Sequence, residues 1–163
     1  MNTLHRKFIF ATLIIVLISV IIAFVLANII YMSVIKQKID QQNVLLAEEI
    51  AFNLEHMHGS SSSFTPYLES IGKLGYQFYV LNTEGEALFF GQPFDQTDIP
   101  LEAMDVLTNQ EIYHGMSDYA QQFLMMGHFS NDVKNTVGVP FTLNDQSYGL
   151  FLRQNNNLLF HFY

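Results

Sequence analysis

FIFATLIIVLISVIIAFVLANIIYM, residues 8–32, runs for 25 residues without a charge. Seventeen of them are Ile, Leu, Val or Phe. At about 1.5 Å per residue a helix of this length is roughly 37 Å long, enough to cross a hydrocarbon core of about 30 Å with some tilt. Insertion gains of about 0.5 kcal/mol for each large apolar residue outweigh the losses at Thr12, Ser19 and Asn28. Val25-Leu26-Ala27 has the look of a signal-peptide cleavage site, but a signal-peptide core is only about 7–15 residues and this run continues past Ala27. The stretch predicts an uncleaved anchor.

Working outward, residues 1–7 carry His5, Arg6 and Lys7 and no acid, whereas Lys36 and Lys38 on the far side are offset by Asp40, Glu48 and Glu49. The positive-inside rule places residues 1–7 in the cytoplasm and the remainder outside a cell membrane. From Ser33 onward, fifteen acids face five bases, a net of ten negative charges. Such a domain repels nucleic acid. Twelve of the 15 Phe lie outside the span and can build a core. The absence of cysteine excludes a disulfide framework, a thiolate metal site and a cysteine nucleophile.

Beyond the span, residues 33–58 contain no Pro and no Gly before His58, and Ile35, Ile39, Leu46, Ile50, Leu54 and Met57 recur at helical intervals. Gln37, Asp40, Gln41, Glu48 and Glu55 fall mostly on other faces, so one rod from Phe8 to Met57 is predicted. Gly59 to Ser63 is a connector. Residues 59–157 then form a folded domain. Thr65-Pro66 opens a short helix to about Lys73, Tyr76 to Leu81 and Glu86 to Phe90 read as strands, and Asp98-Ile99-Pro100 opens a helix to about Leu107. A short strand is expected around Ile112-Tyr113. Strands follow at Gln122 to Phe129, Thr136 to Leu143 and Ser147 to Arg153, the last two joined by a tight hairpin at Asn144-Asp145-Gln146. This order predicts an α+β fold, a five-stranded antiparallel sheet with helices on one face. It is similar to the PAS-like domains found outside the membrane in bacterial sensor kinases. Residues 158–163 are apolar again and read as the start of a second, truncated transmembrane helix.

No catalytic signature is present: no P-loop, no Gly-x-Gly-x-x-Gly, no Gly-x-Ser-x-Gly elbow, no His-Glu-x-x-His and no His followed by Glu. Three constellations could carry binding. Tyr113-His114 and His128, with Met125 and Met126 close by, are residue types that ligate haem iron, although such residues are more often packing or surface groups. Asp98, Glu102 and Asp105 lie four and three apart on one helix face, which suits a divalent cation or, more commonly, a solvated surface. Phe24, Phe129 and the aromatic run from Phe160 to Tyr163 are apolar groups near a membrane boundary, where an amphiphile or lipid would sit.

Leu74-Gly75-Tyr76-Gln77, Phe89-Phe90-Gly91-Gln92-Pro93-Phe94, Tyr113-His114-Gly115, Asn135-Thr136-Val137-Gly138-Val139 and Phe151-Leu152-Arg153 occur in an order that resembles the HssS-type haem sensor histidine kinases. The resemblance covers essentially the whole chain. It implies a two-component system that answers excess haem, with a sensor domain between two transmembrane helices, then a HAMP linker and a kinase that autophosphorylates with ATP and addresses a response regulator. Those cytoplasmic parts are not in this sequence. The resemblance also places the haem contact at the junction of membrane and outer domain, through phenylalanines and arginines. Phe24 and Phe129 match such positions, and Arg153 is retained. Asp95 stands where the family has a basic residue, and would repel the propionate that an arginine would pair with.

The sequence thus predicts the extracellular input region of a membrane-bound sensor kinase, homodimeric, in a lipid bilayer, with haem as signal and no catalytic residue of its own. The haem-contact candidates are Phe24, Phe129, His114, His128, Tyr113 and Arg153. A divalent-cation sensor using Asp98, Glu102 and Asp105, and a single-span surface binding protein, are the alternatives.

Overall fold

A computed structural model describes residues 3–57, 64–118 and 130–154. Helix α1 (Thr3–Ile30) runs through a π-helical turn (Tyr31–Ile35) into α2 (Lys36–His56), so the expected rod is continuous for 54 residues, about 80 Å at 1.5 Å per residue. It is the one helix among the described residues long and apolar enough to cross a membrane. None of the side chains of α1 is buried within the protein. The polar side chains of this segment are satisfied one turn back: Thr12 Oγ1 donates to the Phe8 carbonyl, Ser19 Oγ to Ile15, Asn28 Nδ2 to Phe24 and Ser33 Oγ to Ile29, at 2.6–3.0 Å. In hydrocarbon an unmet donor costs several kcal/mol, so these bonds make the four residues compatible with a span.

The remaining elements are α3 (Phe64–Lys73), β1 (Tyr76–Asn82), β2 (Ala87–Phe90), α4 (Glu102–Asn109), β3 (Tyr113–His114), α5 (Gly115–Asp118), β4 (Val137–Leu143) and β5 (Gln146–Gln154). The strands form one antiparallel sheet in the order β2-β1-β5-β4-β3. The α+β class follows the expectation. Its third strand is the short Tyr113–His114 segment, while the strand expected from Gln122 to Phe129 lies outside the described residues, as does the segment 158–163.

Side chains alternate across the sheet, so β1 and β5 supply two cores. Phe78, Val80, Leu150 and Leu152 face α2 and α3, together with Val44, Ala47, Leu54 and Leu68. Tyr79, Leu81 and Phe151 face α4, with Ala103, Val106 and Leu107. Helices therefore lie on both faces, not one. The uninterrupted apolar run of β1 is what a strand buried on both sides requires.

Three boundaries differ from expectation. The helix at Pro100 begins only at Glu102, after a tight turn in which the Ala103 and Met104 amides bond the Pro100 and Leu101 carbonyls at 3.1 and 2.9 Å, with no side-chain cap. The β4–β5 hairpin has two residues, Asn144 and Asp145, at φ 52° and 62°, the pairing Leu143–Gln146 closing a type I′ geometry that Asn and Asp tolerate. The buried stripe of α2 is Lys36, Asp40, Asn43, Val44, Ala47, Ile50, Ala51 and Leu54, so Asp40 faces the domain, and Ile35 is exposed. The small Ala47 and Ala51 let the rod approach the sheet closely, and that contact sets its rotation.

Candidate ligand-sensing site

The rod and sheet share a polarity that orients the domain. Near the far end of α2, Glu55 Oε1 accepts the Thr142 amide of β4 at 2.8 Å. Near the membrane end, Asp40 meets His114, whose strand partner is Val137 at the start of β4, itself opposite Leu152. The membrane-proximal end of the domain therefore gathers the start of α2, β3, α5 and the last residues of β5.

His114 Nδ1 lies 2.7 Å from Asp40 Oδ2. Asp40 is 4% exposed and Lys36, one turn earlier, 8%. Burial holds the Asp40 carboxyl above the usual carboxylate range, and His114 and the Ser117 amide pull it part of the way back. Burial likewise lowers Lys36, against the opposing pull of Asp118 and Asp40. The Ser117 hydroxyl lies 3.1 Å from the His114 carbonyl and 2.9 Å from the Asp118 carboxylate, tying α5 to this group. An acid whose folded-state pKa is raised retains a proton that the unfolded chain has released. Its contribution to stability is present at low pH and is lost as pH rises from about 4 toward the raised value. Asp40→Asn is expected to flatten that part of the stability curve, read as the pH dependence of Tm in variant minus wild type.

On the opposite face Tyr113 and Arg153 lie with Phe151. The Tyr113 hydroxyl donates to the Lys134 carbonyl at 3.1 Å, and its ring meets Phe151 edge-on at 5.8 Å. Arg153 is 3% exposed, and its Nη1 donates to the Ser130 carbonyl. Burial lowers its pKa to about 10, while Asp132 and Asp95 favour the charged form. Beside it on β1, Gln77 Nε2 donates to the Gln92 and Pro93 carbonyls and to Asn131 Oδ1 at 2.9–3.2 Å. The guanidinium thus belongs to a buried polar network that fixes two loops.

The described candidates consequently do not form one site. Phe24 is exposed on α1, fifteen residues or about 22 Å along the rod from Ile39. His114 lies on the α2 side of the sheet, and Tyr113 and Arg153 on the α4 side. His128 and Phe129, with Met125 and Met126, lie outside the described residues. Asp98 and Glu102 line a cavity of about 610 Å³ with Asp118, Lys134 and Tyr113; Asp105 does not line it. Among the described residues no group of three or more His, Asp or Glu could hold a metal ion. A second cavity, of about 360 Å³, lies at the membrane-proximal end between Ile39, Asn43, Leu46, Tyr76, Met116 and Gln154.

Sequence reading missed Lys36, Asp40, Gln77 and Asn131. The signal for the first two was their four-residue spacing in phase with Val44, Ala47 and Ala51.

The family model described as the HssS heme sensor protein N-terminal domain matches residues 3–160. This chain belongs to that family. Among its relatives, the heme sensor protein HssS of Staphylococcus haemolyticus (strain JCSC1435) is 29% identical over 153 residues, covering 93% of this chain and 33% of the relative. HssS of Staphylococcus aureus (strain Newman) is 26% identical over 152 residues with the same coverages. The chain therefore spans about a third of the length of the curated relatives it matches. No solved structure matches it. The matched region is the N-terminal part of these heme sensor proteins.

Proposed function

We propose that this chain is the input region of a membrane-bound sensor histidine kinase that answers haem, with residues 1–7 cytoplasmic and the sheet domain outside the cell. The observation that carries the reading is the family match over residues 3–160 on a chain whose N-terminal apolar helix leads without a break into the domain. Phosphorylation of a response regulator belongs to the kinase part of the whole protein. Two chains associate along the rod, where Leu45 and Phe52 stand exposed seven residues apart on α2.

Charge chooses between the two cavities as the place for haem. The larger is lined by Asp98, Glu102 and Asp118 against Lys134 alone, and would repel two propionates. The smaller is lined by apolar groups and side-chain amides without an acid, and it opens toward the membrane end. It fits one edge of a macrocycle whose remainder lies against exposed apolar groups of the adjoining rod such as Ile35, with Phe24 out of its reach. Neither His114 nor Tyr113 lines that cavity, and the Tyr113 hydroxyl is bonded to the Lys134 carbonyl.

Titration of haem into the chain in lipid nanodiscs is expected to shift the haem absorbance band. Gln42→Arg, which adds a propionate partner at an exposed position lining the smaller cavity, is expected to tighten binding about tenfold, the worth of one charge-assisted hydrogen bond of about 1.4 kcal/mol. A flat titration with both proteins removes haem as the signal and leaves the family assignment standing.

A further inference from the structure

Strand pairing fixes which end of the sheet faces the membrane. Asp40, near the span, meets His114 opposite Val137, whereas Glu55, further along α2, meets Thr142. β4 and, through β5, β1 therefore run away from the membrane beside α2. Tyr76, the first residue of β1, lines a cavity with Ile39, which lies about 10 Å along the rod from Met32. Leu74 precedes Tyr76 by two residues, at most about 7 Å of chain, in the turn that leaves α3. This brings Leu74 to the level of the headgroup layer, about 5–7 Å thick on each side of the hydrocarbon. On the other face of the sheet, Leu101 lines the larger cavity with Gly115 and Asp118, and Asp118 stands near Lys36. Leu101 thus belongs to the same end.

Among the described residues these two are the most exposed large apolar side chains of the domain, Leu101 at 85% and Leu74 at 73%. Single exposed leucines are ordinary on a protein surface. Chance scatter does not account for the two extremes, from different faces of the sheet, sharing one end. Charge is sorted the same way. All five bases after Ser33 (Lys36, Lys38, Lys73, Lys134 and Arg153) lie at that end, with Lys38 and Lys73 exposed. The far end carries exposed Glu55, Glu84, Glu86 and Asp145 and neither Lys nor Arg. Acids such as Asp98 and Asp118 share the near end, which is thus mixed in sign and suits zwitterionic headgroups better than a strongly anionic surface.

We propose that the outer domain rests on the surface of the bilayer that α1 crosses, through Leu74 and Leu101 set among the lipid headgroups. Lys73, beside Leu74, meets lipid phosphates with its ammonium while its methylene stem stays with the leucine. Contacts on both faces of the sheet restrain the tilt of the domain as well as its height. The proposal rests on the functional reading only in taking α1 as a span, and it needs no haem.

The chain has no tryptophan, so Leu74→Trp, Leu101→Trp and, in the exposed β1–β2 turn at the far end, Thr83→Trp each report one position of the full chain in phosphatidylcholine nanodiscs. Lipid carrying a nitroxide on its headgroup is expected to quench most of the emission of Leu74→Trp and Leu101→Trp and to leave that of Thr83→Trp unchanged. Adding Leu74→Asp to the Leu101→Trp chain is expected to lower its quenching, because the domain then loses one of its two contacts. Emission from Leu74→Trp or Leu101→Trp that the nitroxide lipid does not quench overturns the proposal. Blue-shifted but unquenched emission means that protein, a second copy included, covers the leucines, and overturns it too. Failure of the chain to enter nanodiscs removes the span and the proposal with it. Because no haem is added, a failed haem titration leaves this test unaffected.

Discussion

Phe151→Ala is expected to lower the Tm of the outer domain by roughly 15–30 °C, the consequence of losing about 4 kcal/mol at about 4–8 °C per kcal/mol in a domain of this size. The ring is fully buried and stacks on Tyr79 with centroids 4.6 Å apart and planes within 3°. Tyr113 closes the other side edge-on at 5.8 Å. Gly138 on β4 and Gly149 on β5 clear its seat: a Cβ at Gly149 would stand 2.7 Å from the ring, and one at Gly138 would collide with it. The site is therefore walled by backbone that cannot move in to fill the space, which places the loss toward the upper end of the range for a deleted core aromatic. The stacked pair adds about 0.5–1.5 kcal/mol beyond the buried area. Domains of this kind have about 5–15 kcal/mol in total, so one substitution removes a large share. Leu88→Ala, on the exposed side of β2, is the matched control and is expected to change stability by about 0.5 kcal/mol or less. Differential scanning of both proteins in the same detergent checks the contrast.

The parts of the fold set by local pattern were legible in the sequence, and the parts set by tertiary contact were not. Residues 8–32 declare a helix by apolarity alone, and the lack of Pro and Gly carries it through α2. Asn144-Asp145 marks the hairpin because those side chains accept positive φ. The rotation of α2 is a different matter. Counting large apolar residues selects Ile35, Ile39, Leu46, Ile50, Leu54 and Met57; Ile50 and Leu54 are buried and Ile39, Leu46 and Met57 pack at the edge of the same core, but Ile35 is exposed and the sheet also takes Val44, Ala47 and Ala51, because small residues permit the closer approach. That choice carries Lys36 and Asp40 inward, and no single-sequence rule prices it. The division of helices between two faces was written in Tyr76 to Leu81, where apolar residues do not alternate with polar ones. The π-turn has no sequence signature; it reconciles a span free to face lipid all round with a helix pinned by the sheet. Tyr113 and His114 were noticed as a pair, yet adjacent residues of a strand point to opposite faces, so adjacency argued against a shared site.

Arg153→Ala is expected to destabilise the folded domain by about 3 kcal/mol even in the absence of any ligand, because removing one member of a buried charged group leaves its partners unmet. The Ser130 carbonyl would lose its donor and buried Asp132 the cation that faces it. Arg153→Lys retains the charge without the planar fork, and should recover only part of the loss. A guanidinium that served solely to meet a propionate would behave otherwise: its removal would abolish haem binding and leave the ligand-free Tm in place. The pH profile gives the same discrimination by an independent route. Burial pulls Arg153 down to about 10 while leaving it charged at neutral pH. The unfolded chain therefore binds more protons than the folded one once pH passes that value, and wild-type stability gains with rising pH there. Arg153→Ala lacks that gain, so the difference in Tm between the two proteins should widen above about pH 10. A residue that holds the 130–135 loop against β5 in this way positions the membrane-proximal end of the sheet, and reaches a ligand only through that end's geometry.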